Sequence, residues 1–291
     1  MKLQISSKKK KKYSKEKNMV KKIIELLKKG ENQTACTKTE EYFDKTSFKT
    51  STGSVEKGLA KYLALEILDE DLRNHIISRY VRFLWKTENT DIRELASFLI
   101  GKIFSENPSI FLFEVITLAK KSNSKADVDT LVHYVLEEQV AERYDYYLEM
   151  LYPFLQNENH WVRRLVILAL ARGFYLSKKP YDVGKCFQVI EESFTDERTV
   201  VTDANAWALG IAGLRVHPKE VVEYFKKYRD TEDKSIMKIF TDAITRTKKS
   251  KDVSPEFKSE IIDVLKHWKK ELEDEDMEAT IDATIEHMEK D

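Results

Sequence analysis

The sequence predicts an all-α fold of recurring helix pairs, and three observations carry that prediction. From about residue 55 onward, apolar residues recur at helical spacing with short polar breaks between segments. Only 8 Gly and 5 Pro occur in 291 residues, too few for the many tight turns of an all-β domain, and no strand pattern interrupts the helical one. Segments starting near 90, 127, 160 and 199 lie roughly 33 to 39 residues apart with two helices in each interval. That period belongs to a HEAT-like or related α-solenoid, whose stacked repeats form a concave face. A compact, irregular helical domain is the alternative.

Taken in order, the pattern predicts helices at 55–68, 73–86, 90–105, 108–121, 127–143, 145–157, 160–176, 181–194, 199–215, 219–229 and 233–247, then a last pair within 255–289. Asn107-Pro108, His217-Pro218 and Ser254-Pro255 each put proline at a first helical turn, where its missing N–H costs nothing. Asp127 and Thr202 are expected caps. Pro153 falls late in its segment and is expected to bend or end it. The segment at 127 buries Val128, Leu131, Val132, Val135 and Leu136; the segment at 160 buries Trp161, Val162, Leu165, Val166 and Ala169. In a two-layer solenoid, the helices at 127, 160 and 199 line one surface and those at 108, 145 and 181 the other.

A formal net charge of zero hides a strong polarity. Residues 1–61 hold 17 Lys and Arg against 7 Asp and Glu, whereas residues 252–291 hold 5 against 14. The run Lys8–Lys12 with Lys15 and Lys17 marks residues 1–18 as a disordered basic arm, read either as a phosphate-binding tail or as a solubilising one. Residues 19–250 are then the solenoid domain and 251–291 an acidic helical extension. No GxGxxG or GxxxxGK[ST] motif is present, which excludes the common nucleotide-binding folds. No apolar run reaches membrane-spanning length, and no apolar core follows the N-terminal lysines as in a secretory signal. Two cysteines, Cys36 and Cys186, fit a reducing interior, so a cytoplasmic location is expected. The six histidines form no HxxxH pair and no cluster with either cysteine, so neither metal nor cofactor is expected.

Three residues near the starts of alternate helices stand out: Asp129, Arg164 and Trp207. Arg164 and Arg172 are two turns apart on one helix side, with Arg163 adjacent. Trp207 lies in Ala204-Asn205-Ala206-Trp207-Ala208, small neighbours that would leave a large ring accessible. A carboxylate, guanidinium groups and an indole on one face can bind a polyanion and stabilise a cation beside it. Structural readings stand next to this one: Asp129 paired with Lys125, the arginines as a solvated face, Trp207 in the core, and His133, one turn from Asp129, as a structural residue.

Three stretches carry a family resemblance. They are Asp127-Val128-Asp129-Thr130-Leu131-Val132, then Asn159-His160-Trp161-Val162-Arg163-Arg164, then Ala204-Asn205-Ala206-Trp207-Ala208-Leu209 with Pro218 and Tyr224 beyond. Leu84-Trp85 upstream adds a fainter match. Together they make residues 55–245 similar to the AlkD-type DNA alkylation repair family, DNA glycosylases with a HEAT-like repeat fold. The resemblance implies Asp129 as catalytic carboxylate, Trp207 as one of two lesion-facing tryptophans and Arg164 as a DNA-backbone arginine. Lys125 stands at the other tryptophan's position, and Gly210 where a basic residue is expected.

The implied activity is hydrolysis of the N-glycosidic bond of cationic alkylated purines such as 3-methyladenine and 7-methylguanine. Such a base is already a good leaving group, so the enzyme's task is to stabilise the oxocarbenium ion, by a fixed carboxylate and aromatic faces. The implied partner is double-stranded, alkylated DNA gripped by Arg163, Arg164, Arg172 and Lys125. The protein is expected to be a monomer without membrane contact, at the nucleoid when bound to DNA. Some members of the family bind DNA without evident base excision. A non-catalytic helical-repeat protein binding damaged or branched DNA, or a protein-interaction scaffold, is therefore the alternative, and Lys125 favours it.

Overall fold

A computed structural model of the chain describes residues 11–247 and 253–290. The described residues are helical throughout except for connecting loops and one isolated antiparallel bridge, Lys49 with Val55. The fold is all-α, as the sequence predicts. The chain divides into two compact units, residues 1–138 and 139–291. The expected boundary near 250 lies outside the described residues.

The first unit contains α1 (Lys17–Lys28), α2 (Asn32–Lys45), α3 (Lys57–Leu68), α4 (Asn74–Trp85), α5 (Thr90–Glu106), α6 (Pro108–Lys120) and α7 (Lys125–Leu131). Beyond α7 the chain continues as a π-helical segment, Val132–Leu136. Helices two apart in sequence pack together: α1 on α3, α3 on α5 and α5 on α7 form one row, α2 on α4 and α4 on α6 the other. The pattern is a two-layer stack within the unit.

Residues 11–18 correct one expectation: they are not a disordered arm. They run as helical turns into α1, and Tyr13 is only 1% exposed. Its ring meets Phe48 edge-on at 5.1 Å, and its hydroxyl donates to Glu56 at 2.7 Å. An aromatic anchor next to lysines, with Lys12 paired to the same Glu56, stabilises a segment whose composition reads as disordered. Residues 1–10 of the expected arm lie outside the described residues.

The second unit contains α8 (Tyr144–Leu151), α9 (His160–Leu176), α10 (Val183–Glu191), α11 (Thr199–Trp207), α12 (Pro218–Lys227), α13 (Lys234–Thr245), α14 (Pro255–Glu271) and α15 (Glu275–Glu289). Here too α11 is followed by a π-helical segment, Ala208–Gly213. The row α9, α11, α13, α15 packs in sequence, and α12 packs on α14. The acidic C-terminal helices therefore continue the same alternation. Pro153 stands in a 3-10 turn that follows α8 and ends it, as its missing N–H requires.

Helix starts follow capping chemistry, with two departures from expectation. Asn89 accepts from the backbone of Asp91 at 2.9 Å, and Asn159 from that of Trp161 at 2.9 Å. The cap of α7 is Ser124, not Asp127, and α11 follows Arg198, with Thr202 inside the helix. Asp127 serves elsewhere. Arg93, four residues past its cap, donates to the Thr87 carbonyl at 2.8 Å and to Asp127 at 2.5 Å. Arg163, four past Asn159, donates to the Asn157 carbonyl at 2.7 Å and to Asp196 at 2.5 Å. Each arginine thus ties its own inter-helix loop to an aspartate 34 or 33 residues on, one repeat later.

The π segment after Trp207 contains a glycine at a close approach of two helices. A Cβ at Gly210 would lie 2.1 Å from the Ala243 carbonyl of α13, so the backbones meet there with no room for a side chain. This is why no basic residue stands at the position. Gly210→Ala is expected to destabilise the protein by at least about 1–3 kcal/mol through overpacking, measured by urea unfolding. A variant as stable as the wild type would contradict the contact.

His217 ends the helical stretch after α11, with Nε2 2.5 Å from the Tyr181 hydroxyl and its ring against Phe174 at 6.0 Å. Burial holds the imidazole below its ordinary value, with Glu220 opposing weakly, while burial raises the Tyr181 hydroxyl. The neutral ring is thus the native form, and the unfolded chain takes the proton first. Stability from this site is present above the ordinary histidine value and is lost as pH falls through the depressed one. Thermal midpoints should fall between about pH 7 and about pH 5, and His217→Phe should flatten part of that slope. An unchanged slope would remove His217 from the account.

Candidate nucleic-acid interface

In the first unit the candidate residues stand on α7. Its first turn is fixed by Asp127, which is 2% exposed. That carboxylate takes the Arg93 guanidinium at 2.5 Å and the Asn123 N–H at 3.2 Å, while Arg93 also lies 5.6 Å from the centre of the Trp85 ring. Two residues further, about 200° around the helix, Asp129 is half-buried. Lys125, one turn earlier, is exposed. His133, one turn later, is exposed with Nδ1 2.8 Å from Glu137. The two aspartates of the motif therefore have different roles: Asp127 neutralises a buried cation, and Asp129 keeps surface in water.

In the second unit the candidate residues belong to α9 and α11, neighbours in one row. Arg163 makes a two-pronged pair with Asp196, at 2.5 and 3.2 Å, and bonds two carbonyls behind it. Arg164 is 3% exposed. It donates to Asp203 at 2.6 Å and to the Val200 carbonyl at 2.8 Å, and Arg246 takes the other Asp203 oxygen at 2.6 Å. Here the structure corrects the sequence reading. Arg163 and Arg164 bind the next helix pair rather than standing toward solvent, because a guanidinium amid packed helices must meet a carboxylate.

Trp207 and Arg172 come together. The Arg172 guanidinium lies 5.2 Å from the centre of the Trp207 ring, a cation–π contact, and both side chains are half-buried. Ala204, Ala206 and Ala208 are fully buried. The small residues let α11 approach its neighbours closely, and the large ring is thereby left partly exposed. Tyr175 and Arg215, both exposed, extend this surface, the guanidinium reaching the phenol oxygen at 3.5 Å. Neither was singled out from the sequence. Tyr175 follows Arg172 by three residues, a helical-face signal that was available, whereas Arg215 meets Tyr175 across 40 residues of sequence, which no local spacing discloses.

Asp129 and Lys125 belong to the first unit, and Trp207, Arg172, Arg163 and Arg164 to the second. Among the described residues no group of three or more His, Cys, Asp or Glu could hold a metal ion, and no helix is long and apolar enough to cross a membrane. Both cysteines are buried, and burial pushes each thiol up to about 12, which suits packing rather than nucleophilic chemistry.

Arg164→Ala separates packing from DNA contact. It removes one of the arginines on Asp203 and should cost about 3 kcal/mol, the loss of one partner of a buried pair. Duplex affinity per folded molecule should stay close to wild type, measured by thermal unfolding and fluorescence anisotropy on the same preparation. Full stability with lost affinity would restore Arg164 as a phosphate ligand.

The family model described as "DNA alkylation repair enzyme" matches residues 23–245. The matched stretch includes every candidate residue described above except Arg246. No curated protein and no solved structure compared with the chain gave a match.

Proposed function

The chain belongs to the DNA alkylation repair enzyme family, and from that premise we propose that it is a DNA glycosylase releasing cationic alkylated purines. A role in DNA repair, with DNA as the substrate class, comes with the family. The finer reading rests on one observation. Of the two aspartates at the start of α7, Asp127 is consumed by Arg93, and Asp129, two residues on, retains solvent-facing surface.

A purine alkylated at N3 or N7 leaves as a neutral base, so no general acid is required. Positive charge then grows on the deoxyribose. The Asp129 carboxylate stabilises that charge where it develops and orients the attacking water. The family resemblance gives Trp207, in the second unit, an aromatic role of its own, cation–π attraction to a cationic base being worth about 0.5–2 kcal/mol for a well-placed ring. Arg172 already occupies one of its contacts and raises the positive potential toward phosphate. Arg215 and Tyr175 extend the same surface toward the duplex backbone. The protein works as a cytoplasmic monomer on double-stranded DNA.

Lys125 favours a second reading. An exposed ammonium one turn from Asp129 repels a cationic base and offsets the carboxylate, which suits a protein that binds damaged or branched DNA without excising a base.

The two readings part on Asp129→Asn. Release of 3-methyladenine or 7-methylguanine from alkylated duplex should fall about 100-fold or more, since the lost stabilisation acts in the transition state. Affinity for the same duplex should persist. If the wild type releases base no faster than spontaneous depurination while binding DNA, the non-catalytic reading takes its place.

A further inference from the structure

At the C-terminal end of α9 the surface combines apolar side chains with cations. Tyr175, Leu176 and Val216 are 37%, 43% and 39% exposed, and Trp207 is half-buried. Arg172 lies over the Trp207 ring at 5.2 Å, and Arg215 reaches the Tyr175 hydroxyl at 3.5 Å. Lys178 and Lys179, both exposed, follow in the loop that leaves the helix. The backbone that carries these groups is fixed from behind. A Cβ at Gly173 would lie 2.3 Å from the Val140 side chain, so α9 is pressed against its neighbour there. Phe174 is fully buried, and its carbonyl accepts from the Tyr181 hydroxyl at 3.1 Å. The Ser177 hydroxyl donates to the Ala141 carbonyl at 3.0 Å and fixes the end of the helix.

An intact duplex uses only part of such a surface. Its phosphates answer to cations, but its bases turn their faces to one another, and exposed aliphatic side chains have no counterpart on a phosphate backbone. An unpaired strand presents both parts. Its phosphates meet arginine and lysine, and each base has a π-face to lay on an aromatic ring or a guanidinium plane. Arg172 and Tyr175 are close to one turn apart, about 4.5 Å along α9, a step that neighbouring nucleotides of one strand can span. Resting on the DNA-binding reading above, we propose that the Trp207–Tyr175 surface takes unpaired nucleotides, so that DNA with a locally single-stranded stretch is preferred to intact duplex.

The test uses unmethylated DNA, so it does not depend on base excision. Full-length protein is titrated, with fluorescence anisotropy at one salt concentration, against a fully paired duplex and against the same duplex carrying an internal run of unpaired thymines. The unpaired form is expected to bind about 10-fold more tightly, a factor that one stacked base supplies. Tyr175→Ala and Trp207→Leu should each bring the ratio of affinities to within about 2-fold, whereas Tyr175→Phe, which keeps the ring and loses the hydroxyl, should retain it. The unpaired form should also quench indole emission; Trp207→Phe keeps a ring, so it should hold the ratio and lose the quenching. Equal affinities of the wild type for the two forms, a ratio undiminished in both Tyr175→Ala and Trp207→Leu, or quenching that survives in Trp207→Phe overturns the proposal. Release of methylated bases without this preference rejects the unpaired-strand reading alone; the preference without base release supports it and rejects the excision reading.

Discussion

The buried arginines Arg93 and Arg164 each need a carboxylate from the following helix pair, and the half-buried Arg163 takes one too; that requirement orders the rest. Arg93 reaches Asp127, Arg163 reaches Asp196, and Arg164 with Arg246 encloses Asp203. A guanidinium taken out of water without its partner costs several kcal/mol, so a mispaired stack is disfavoured by the same groups that hold the correct one. Arg93 and Arg163 also bond the carbonyl six residues behind them, which closes the loop before their own helix. One side chain therefore fixes a loop and a neighbour at once. The apolar interior supplies the larger share of burial energy but is tolerant of sliding; the ion pairs set which helix meets which.

That constraint reaches the candidate chemistry directly. Asp127 is pinned by Arg93 at the start of α7, and the pinned turn carries Lys125 and Asp129 on it. In the second unit, Asp203 is held between two arginines one turn before Trp207, so the indole issues from a clamped helix too. Charges spent on packing and charges left partly exposed thus alternate along the same helices. It is the reason two arginines that look alike, Arg164 and Arg172, end in different places: eight residues apart on α9, one meets a carboxylate in the interior and the other lies over an aromatic ring near the surface.

The helices that carry Asp129 and Trp207 both pass into π-helical segments immediately afterwards. A π turn widens the helix by one residue and rotates the residues beyond it, which often serves to aim functional groups. After Trp207 the widening is stabilised by close approach of Gly210 to the α13 backbone. Beyond it, Arg215 donates to the Tyr175 hydroxyl at 3.5 Å.

The all-α class, the helix order from residue 57 onward and the proline starts were legible in the chain before it folds, whereas α1 and α2 were not read. What was legible rests on local rules, namely 3.6-residue periodicity and the missing proline N–H. Tyr13 and residues 11–18 were misread, because charge composition carries no knowledge of the aromatic slot that receives one ring. Arg163 and Arg164 were taken for surface cations, since a spacing of one or eight residues does not disclose an aspartate 33 or 39 residues away. Which charges are spent on packing and which face water is settled only when the helices stack. The partners that neutralise them come from the next helix pair, and that long-range pairing is beyond the reach of a local pattern.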